Sequence, residues 1–271
     1  MITIQPGKSI QSLSAGDKFI LLHPDDYKRL TQSTRDELGI ISGIEKTELK
    51  DFDLFVGSEA SFRIDKIGKR LKKSRPNPDE LLIHQSGIFC TLIEGKLSHE
   101  ENSMEHDPKI FNSLVITLSD RASRGEYADL SGPFVIEALE ELFTARDKRF
   151  RTDYKLIPDN RENLSEILTQ STNKYDVILS TGGTGIGPRD FTVDVVKPLL
   201  NMEIPGIMEM IRMKYGSLKP NAYLSRGVAG IFGSALIYTL PGSVKAVREY
   251  MDEITKTLDH LFYMKEGIDV H

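Results

Sequence analysis

Apolar and polar positions follow a strand-and-helix rhythm in the second part of the chain, from about residue 111 onward. The run LVITL at 114–118 is continuously apolar, as expected for a strand that is covered on both faces. The next segment instead places apolar residues at helical spacing, from Val135 through Leu139 to Leu142. In chain order, the pattern predicts strands at 114–118, 154–157, 177–179 and 235–240 and helices at 132–145, 163–172, 192–200 and 243–264. Such alternation predicts an α/β fold: a three-layer, mostly parallel sheet with helices on both faces.

The first hundred residues have a different pattern. Short apolar segments, such as 18–22 and 54–56, lie among turn-forming residues, and 88–93 is typical of a strand. This favours a smaller β-rich or α+β domain over residues 1–100. The sequence HEENSMEHDPK, from His99 to Lys109, is polar and charged, contains a proline and has no apolar periodicity. It predicts a linker over 101–110, followed by the second domain over 111–268.

Composition and charge narrow the class of protein. The 271 residues are 39% apolar and 28% charged, which is ordinary for a globular protein of one or two domains. A net charge of −5 gives no electrostatic reason to expect nucleic acid or a membrane surface as a partner. The single cysteine, Cys90, excludes a disulfide within this sequence and fits a reducing compartment. The first residues lack a signal-peptide pattern, and the uncharged run 227–244 holds glycines and a proline, so we expect a cytoplasmic protein.

Polar loops follow three of the predicted strands, and α/β folds bind ligands beyond the carboxyl ends of such strands. The first loop is SDRASRG at 119–125, which includes Asp120, and the second presents Asp159 within IPDN at 157–160. Serine and aspartate also cap helices and turns at these positions. Capping remains an equal alternative for the first loop, and it is the favoured interpretation of the second when that loop is taken alone.

The third loop, STGGTGIGPRD at 180–190, is the richest in chemistry. Its four glycines come directly after a buried strand and allow backbone N–H groups to approach an anion closely. The loop has neither the Gly-Lys-Ser/Thr ending of a Walker A loop nor the spacing of a dinucleotide fingerprint. Arg189 offers a cation for phosphate, and Asp190 offers a carboxylate for a metal. If Asp159 and Asp190 end neighbouring strands, their carboxylates would together suit Mg²⁺.

Residues 113–264 resemble the molybdopterin adenylyltransferase family of molybdenum cofactor biosynthesis. Seven separate motifs carry the resemblance in the family's order and spacing: SDRASRG at 119–125, DLSGP at 129–133, LIPDN at 156–160, STGGTGIGPRDFT at 180–192, IPGIMEMIR at 204–212, LSRGVAG at 224–230 and LPGS at 240–243. One departure follows Gly242, where the family commonly has a polar residue and then proline, whereas this chain has Ser243 and Val244. Ser243 is still able to cap the last helix. Residues 1–100 show no resemblance of this kind.

The resemblance implies an activity and assigns residues to it. Family members transfer AMP from MgATP to the terminal phosphate of molybdopterin, release pyrophosphate and supply a molybdenum-insertion protein; a homotrimer is also implied. Asp159 and Asp190 match the two catalytic aspartates, and we expect them to hold Mg²⁺. The residues expected to bind ATP are Gly182, Gly183, Thr184, Gly185, Arg189, Pro241, Gly242 and Ser243. Asp120 and Ser225 match positions that hold molybdopterin.

Two other functions remain as alternatives. One is a non-catalytic molybdopterin-binding or scaffold protein, which the intact Asp159 and Asp190 argue against. The other is a bifunctional enzyme with a second cofactor-related activity in the N-terminal domain. That domain contains RIDKIGKRLKKSR at 63–75, with seven basic residues against one acid, which is interpreted as a solvated face or alternatively as a docking patch. The six histidines show no metal-site spacing and receive no role.

Overall fold

The computed structural model describes residues 2–7, 10, 13–35, 37–58, 60–68, 76–97 and 102–268. The chain divides into two compact units, 1–109 and 110–271. Most of the basic run at 63–75 lies outside the described residues; within the part that is described, Arg63 donates hydrogen bonds to the carboxylate of Asp65. The described helices include none that is both long enough and apolar enough to span a bilayer.

The strands of the first unit close into a barrel. Its elements are β1 (Ile2–Gln5), β2 (Lys18–Leu22), α1 (Pro24–Tyr27), α2 (Gln32–Arg35), β3 (Gly39–Ser42), a 3-10 helix (Lys46–Glu48), β4 (Leu54–Val56), β5 (Ala60–Ile67), α3 (Pro78–Ser86), β6 (Ile88–Gly95) and β7 (Asn102–Asp107). The order around the barrel is β1-β3-β2-β6-β5-β4-β7, and β7 pairs back onto β1. Inside, Phe55 and Phe62 are stacked with their ring centroids 4.9 Å apart. The first unit is therefore β-rich, as predicted.

The segment predicted to be a linker instead supplies β7, the strand that closes this barrel. β7 pairs antiparallel with both β1 and β4. Met104 is buried, and the inward-facing His106 stacks on Phe55 and contacts the carboxylate of the fully buried Asp53 at 2.8 Å. The linker prediction was wrong because one inward position is polar and finds a buried partner, which hides the apolar alternation that would have indicated a strand.

The second unit contains a six-stranded sheet and its covering helices. Its elements are β8 (Ile110–Leu118), α4 (Asp120–Ser123), α5 (Ser131–Ala145), β9 (Arg149–Ile157), α6 (Arg161–Ser171), β10 (Val177–Thr181), α7 (Thr192–Val196), a 3-10 helix (Lys197–Leu199), β11 (Met202–Glu203), α8 (Pro205–Gly216), a 3-10 helix (Pro220–Leu224), β12 (Ala229–Phe232), β13 (Ala235–Leu240) and α9 (Val244–Lys265). The strand order is β11-β12-β13-β10-β8-β9. β9, β8, β10 and β13 run parallel, whereas β12 and β11 are antiparallel to their neighbours.

Helices cover both faces of this sheet, so the three-layer α/β prediction is confirmed. On one face, Phe111 of β8 packs against Phe143 of α5 and Phe262 of α9, with ring centroids 5.7 Å and 4.8 Å away. On the other face, alternate residues of the central strands join α6 and α7 in one apolar cluster, which includes Ile116, Ile178, Leu164, Leu168, Val193 and Val196. Successive side chains of the central strands point to opposite faces of the sheet, so each strand contributes to both apolar layers.

Several elements differ from their predicted bounds; β8, for example, begins at Ile110 rather than at residue 114. β9 begins at Arg149 rather than at residue 154, because this edge strand pairs only with β8 and carries many polar side chains. The helix predicted at 192–200 becomes 3-10 at Lys197–Leu199, where Pro198 cannot donate the next helical hydrogen bond. The short antiparallel strands β11 and β12 had no clear sequence signal.

Candidate functional site

A cavity of about 620 Å³ lies in the second unit beyond the carboxyl ends of β10 and β13. Three segments line most of it: the glycine-rich loop after β10, the Pro-Gly-Ser turn after β13, and the region from α8 to Ser225. Of the residues predicted to bind ligands, the lining includes Gly183, Thr184, Gly185, Asp190, Ser225, Pro241, Gly242 and Ser243. Gly182, Arg189, Asp120 and Asp159 are not among the residues that line it.

The glycine-rich loop turns sharply because its first two glycines adopt left-handed backbone conformations. Gly182 has φ +99° and Gly183 has φ +66°. A Cβ atom at Gly182 would lie 2.6 Å from the carbonyl oxygen of Leu118, and one at Gly183 would lie 2.4 Å from Oγ1 of the buried Thr192. Both positions therefore require glycine for conformation and for space.

Four consecutive carbonyl oxygens of this loop are bound to protein groups. Thr192 donates its hydroxyl to the Gly182 oxygen at 2.8 Å and its N–H to the Gly183 oxygen at 3.1 Å. Arg226 donates its backbone N–H to the Thr184 oxygen at 2.9 Å and its Nε to the Gly185 oxygen at 2.8 Å. In a trans peptide the C=O and the following N–H point in opposite directions. The N–H groups of residues 183–186 therefore point away from these anchors, and none of them has an acceptor among the described residues.

Asp190 closes the loop and contributes a carboxylate to the cavity. Its Oδ2 accepts the N–H of Gly187 at 2.8 Å, and its own N–H donates to the Gly187 oxygen at 3.0 Å. Cβ atoms built on Gly185 and Gly187 would lie 2.7 Å and 3.0 Å from Oδ2. Its Oδ1 accepts no hydrogen bond from any residue in the described part of the chain. The glycines thus make room for a carboxylate with one uncommitted oxygen.

The expected magnesium pair required Asp159 and Asp190 to follow neighbouring strands, and the structure shows that they do not. β8 lies between β9, which precedes Asp159, and β10, which precedes the glycine-rich loop. Asp159 is instead beside Asp120: its Oδ2 accepts the Asp120 N–H at 3.2 Å, and its N–H donates to Asp120 Oδ1 at 3.0 Å. The described residues contain no cluster of three or more His, Cys, Asp or Glu side chains suited to a metal.

Neither Asp120 nor Asp159 caps a helix, which was the alternative interpretation of both loops. Ser119 caps α4, with its hydroxyl accepting the Ala122 N–H at 3.2 Å. Asn160 caps α6 and accepts the Asn163 N–H at 2.6 Å. The capping residues are thus immediate neighbours of the aspartates, and both carboxylates remain at the carboxyl edge of the sheet.

Ser225 and the Pro-Gly-Ser turn also line the cavity. Ser225 Oγ lies 2.9 Å from the hydroxyl of Tyr250, which donates to it. Burial raises the pKa of Tyr250 above its usual value, so its phenol remains a neutral donor at physiological pH. Ser131 donates to the Gly242 oxygen at 3.1 Å, and Ser243 caps α9, as predicted.

Sequence reasoning missed several polar residues of the cavity. Lys245 lines it and has no ion-pair partner among the residues described, whereas Lys219 is paired with Glu249. Arg212 donates to the oxygen of Gly227 at 3.1 Å. Lys245 comes two residues after the Pro-Gly-Ser turn, and this closeness in sequence to the predicted ATP-binding residues was a signal that could have identified it. Arg212 and Lys219 come from α8 and the loop after it, whose distance along the chain hid them.

Known proteins match the part of the chain that holds this cavity. A family model described as "probable molybdopterin binding domain" matches residues 114–260. The chain is 38% identical to gephyrin of Dictyostelium discoideum over 186 residues, which is 66% of this chain but only 26% of gephyrin. It is 37% identical over 142 residues to a molybdopterin adenylyltransferase of Helicobacter pylori, covering 52% of this chain and 79% of that protein.

A solved structure matches the same part of the fold. The tungsten cofactor synthesizing protein MoaB from Pyrococcus furiosus superposes with a TM-score of 0.52 at 34% identity, over 59% of this chain and 99% of the other. The match covers only part of this chain, in keeping with an additional N-terminal unit. Because the family model covers more than half of the sequence, this chain belongs to the molybdopterin-binding domain family of molybdenum cofactor biosynthesis.

Proposed function

We propose that this protein transfers AMP from MgATP to the terminal phosphate of molybdopterin. An oxygen of that phosphate attacks the α-phosphorus of ATP, the bond from the α-phosphorus to the bridging oxygen breaks, and pyrophosphate leaves. The observation that carries the proposal is the row of uncommitted N–H groups at 183–186 beside the Asp190 carboxylate in the 620 Å³ cavity. The relatives named molybdopterin adenylyltransferase support the reaction type.

The residues of the loop suit the charge that this reaction handles. Backbone N–H groups held in place by buried partners bind phosphate oxygens without reorganising during the reaction. Lys245 adds a cation that no other described residue neutralises. In-line positioning and charge neutralisation are most of what phosphoryl and adenylyl transfer require from a protein.

The donor set of the site fits Mg²⁺ bound mainly through substrate. Mg²⁺ commonly takes one or two carboxylates and completes its shell with water and phosphate oxygens. The uncommitted Oδ1 of Asp190 provides one such ligand. When bound, Mg²⁺ would neutralise charge on the α-phosphate and the leaving pyrophosphate. Asp159 is the second candidate ligand, reached across the end of β8.

Molybdopterin would lie on the Ser225 side of the cavity. Ser225 is held there by the hydroxyl of Tyr250. Asp120 follows β8, the strand next to β10 in the sheet, and lies beside Asp159. Product release toward a molybdenum-insertion protein would then complete the role in the pathway.

The decisive experiment is incubation of the purified protein with molybdopterin, Mg²⁺ and ATP. Adenylylated molybdopterin and pyrophosphate in equal amounts are the expected products. Binding of molybdopterin without pyrophosphate release would instead support the scaffold alternative.

The second unit is expected to fold and act alone. Its sheet and both apolar layers lie within 110–268, and 59% of this chain already accounts for 99% of the Pyrococcus structure. A protein beginning at Pro108 should unfold cooperatively in a thermal melt and keep the ATP-dependent activity of the full chain. An inactive but folded product would show that residues 1–107 contribute to the site.

A homotrimer is also proposed, and exposed apolar side chains support an oligomer. They lie on β11, on α8, in the loop after α8 and on the 3-10 helix that follows: Met202, Met210, Met213, Leu218, Tyr223 and Leu224. Exposed large apolar side chains, where they form one patch, are typical of an interface between subunits. Light scattering at micromolar concentration should give three times the chain mass, and a stable monomer would contradict the proposal.

A further inference from the structure

The side chain of Arg226, in the LSRGVAG motif, spans the back of the glycine-rich loop. Its Nε donates to the Gly185 oxygen at 2.8 Å, and Nη2 donates to the Asp190 oxygen at 2.5 Å. Nη1 and Nη2 also hold the two carboxylate oxygens of Asp194, at 2.9 Å and 3.1 Å. With its own N–H on the Thr184 oxygen, one residue binds three carbonyls of the loop. Only the planar fork of arginine offers donors in this arrangement.

These bonds determine where two N–H groups of the loop point. None of the described peptide bonds is cis, so a carbonyl that faces Arg226 forces the next N–H to the other side. The backbone N–H of Arg226 holds the Thr184 oxygen and so turns the Gly185 N–H away, whereas its guanidinium holds the Gly185 oxygen and so turns the Ile186 N–H away; Gly185 and Ile186 both line the cavity. Thr192 does the same for the first two N–H groups of the row.

The contact with Asp190 fixes the other end of the loop. The guanidinium binds the backbone oxygen of Asp190, while the carboxylate of the same residue remains in the cavity. Asp194, on α7, accepts from two guanidinium nitrogens and so sets the plane of the group. The ion pair itself is partly exposed and contributes little stability as a charge pair. The effect of the ion pair is instead geometric, because Asp194 orients the guanidinium N–H donors of Arg226 toward the loop.

We propose that Arg226 is a positioning residue: its guanidinium orients the Ile186 N–H group toward the phosphates of the nucleotide and holds Asp190 in register with it, while its backbone N–H fixes the neighbouring Gly185 N–H. The proposal deepens the adenylyltransferase function and rests on it for the identity of the anion. Its geometric part, that Arg226 holds the loop, is independent of the reaction.

The test compares Arg226→Ala, Arg226→Gln and Arg226→Lys in the full-length protein. In Arg226→Ala we expect kcat/KM for ATP to fall roughly 10- to 100-fold, as is usual when catalytic groups are misplaced by about an ångström. Molybdopterin affinity, measured by fluorescence quenching, should change little, because Ser225 and Tyr250 keep their contact. Arg226→Lys keeps the charge and the backbone N–H, but its single ammonium group cannot replace the guanidinium bonds to the Gly185 and Asp190 oxygens and to Asp194, so charge alone should not restore the rate. Arg226→Gln, whose side chain is closer in length to arginine than alanine is, replaces Arg226→Ala in the test if the alanine variant fails to fold.

A readout that does not depend on the reaction is tryptic cleavage after the exposed Arg189, followed by mass spectrometry. Cleavage of the native protein should accelerate in each Arg226 variant. The matched control is Arg151→Ala, which removes an exposed arginine paired with Asp153 on β9 and should leave the cleavage rate and kcat/KM unchanged. If the Arg226 variants are cleaved faster but the wild-type protein does not adenylylate molybdopterin, the proposed function is overturned, whereas the inference that Arg226 holds the loop stands. Unchanged cleavage and unchanged kcat/KM for ATP in the Arg226 variants would overturn the inference itself.

Discussion

Replacing Asp190 by asparagine is expected to lower the rate of adenylyl transfer by about 10²-fold or more, the usual effect of removing a charged group that stabilises the transition state. The amide oxygen can still accept the Gly187 N–H, so the loop should keep its shape. The variant loses the negative charge of the carboxylate, including that at Oδ1, the oxygen to which no described residue donates a hydrogen bond. Pyrophosphate release at saturating substrates, titrated with Mg²⁺, measures both the rate and the metal requirement.

The control for this variant is Asp252→Asn, an exposed position on α9 that does not line the cavity. It removes one carboxylate in the same chemical way and should leave turnover and thermal stability unchanged. Near-normal turnover in Asp190→Asn, with a folded protein, would contradict any role of Asp190 in metal or phosphate chemistry.

Asp159→Asn tests whether the two aspartates share an ion. If both hold the same Mg²⁺, each variant should lose most turnover and each should require more Mg²⁺ for half-maximal rate. Asparagine can still accept the Asp120 N–H, so the contact between the two loops is kept. A raised Mg²⁺ requirement in Asp190→Asn alone would restrict metal binding to the glycine-rich loop and leave Asp159 a role in joining the ends of β8 and β9.

Much of the fold could be predicted because the second unit obeys simple periodicities. The run at 114–118 is apolar apart from Thr117 because helices cover both faces of β8, and helical spacing marks α5. β9 was cut short because an edge strand needs fewer apolar residues. β7 was missed because His106 faces inward and is satisfied by Asp53, a pairing that only the closed barrel brings about.

The site was predictable as a set of loops but not as a set of contacts. Glycines after a buried strand indicate a close backbone approach, and the resemblance supplied the aspartates. Strand order decides which loops meet, and no local pattern reveals that β8 separates Asp159 from the glycine-rich loop. The role of Arg226 was missed for the same reason: it is remote from the loop along the chain and is brought to it only by folding.

Gly183→Ala is expected to damage the site without removing any charged group, mainly through packing. The new methyl would lie 2.4 Å from Oγ1 of Thr192, a fully buried side chain that already anchors the Gly182 oxygen. Either the loop or Thr192 must move, and either movement turns the row of N–H groups. Overpacking of this kind costs about 1–3 kcal/mol, and we expect ATP affinity, measured by calorimetry, to fall roughly tenfold or more.

Backbone strain must be separated from this clash, because Gly183 has φ +66°. Gly267, in the same unit, has φ +68° and open space, with nothing within 4 Å of the position that a methyl group would take, so Gly267→Ala carries the strain without the contact. Gly206→Ala on α8 carries neither. We expect Gly267→Ala to lower the melting temperature without changing ATP affinity, and Gly206→Ala to change neither. If Gly183→Ala bound ATP like Gly267→Ala, the N–H groups of the loop would not be what holds the nucleotide.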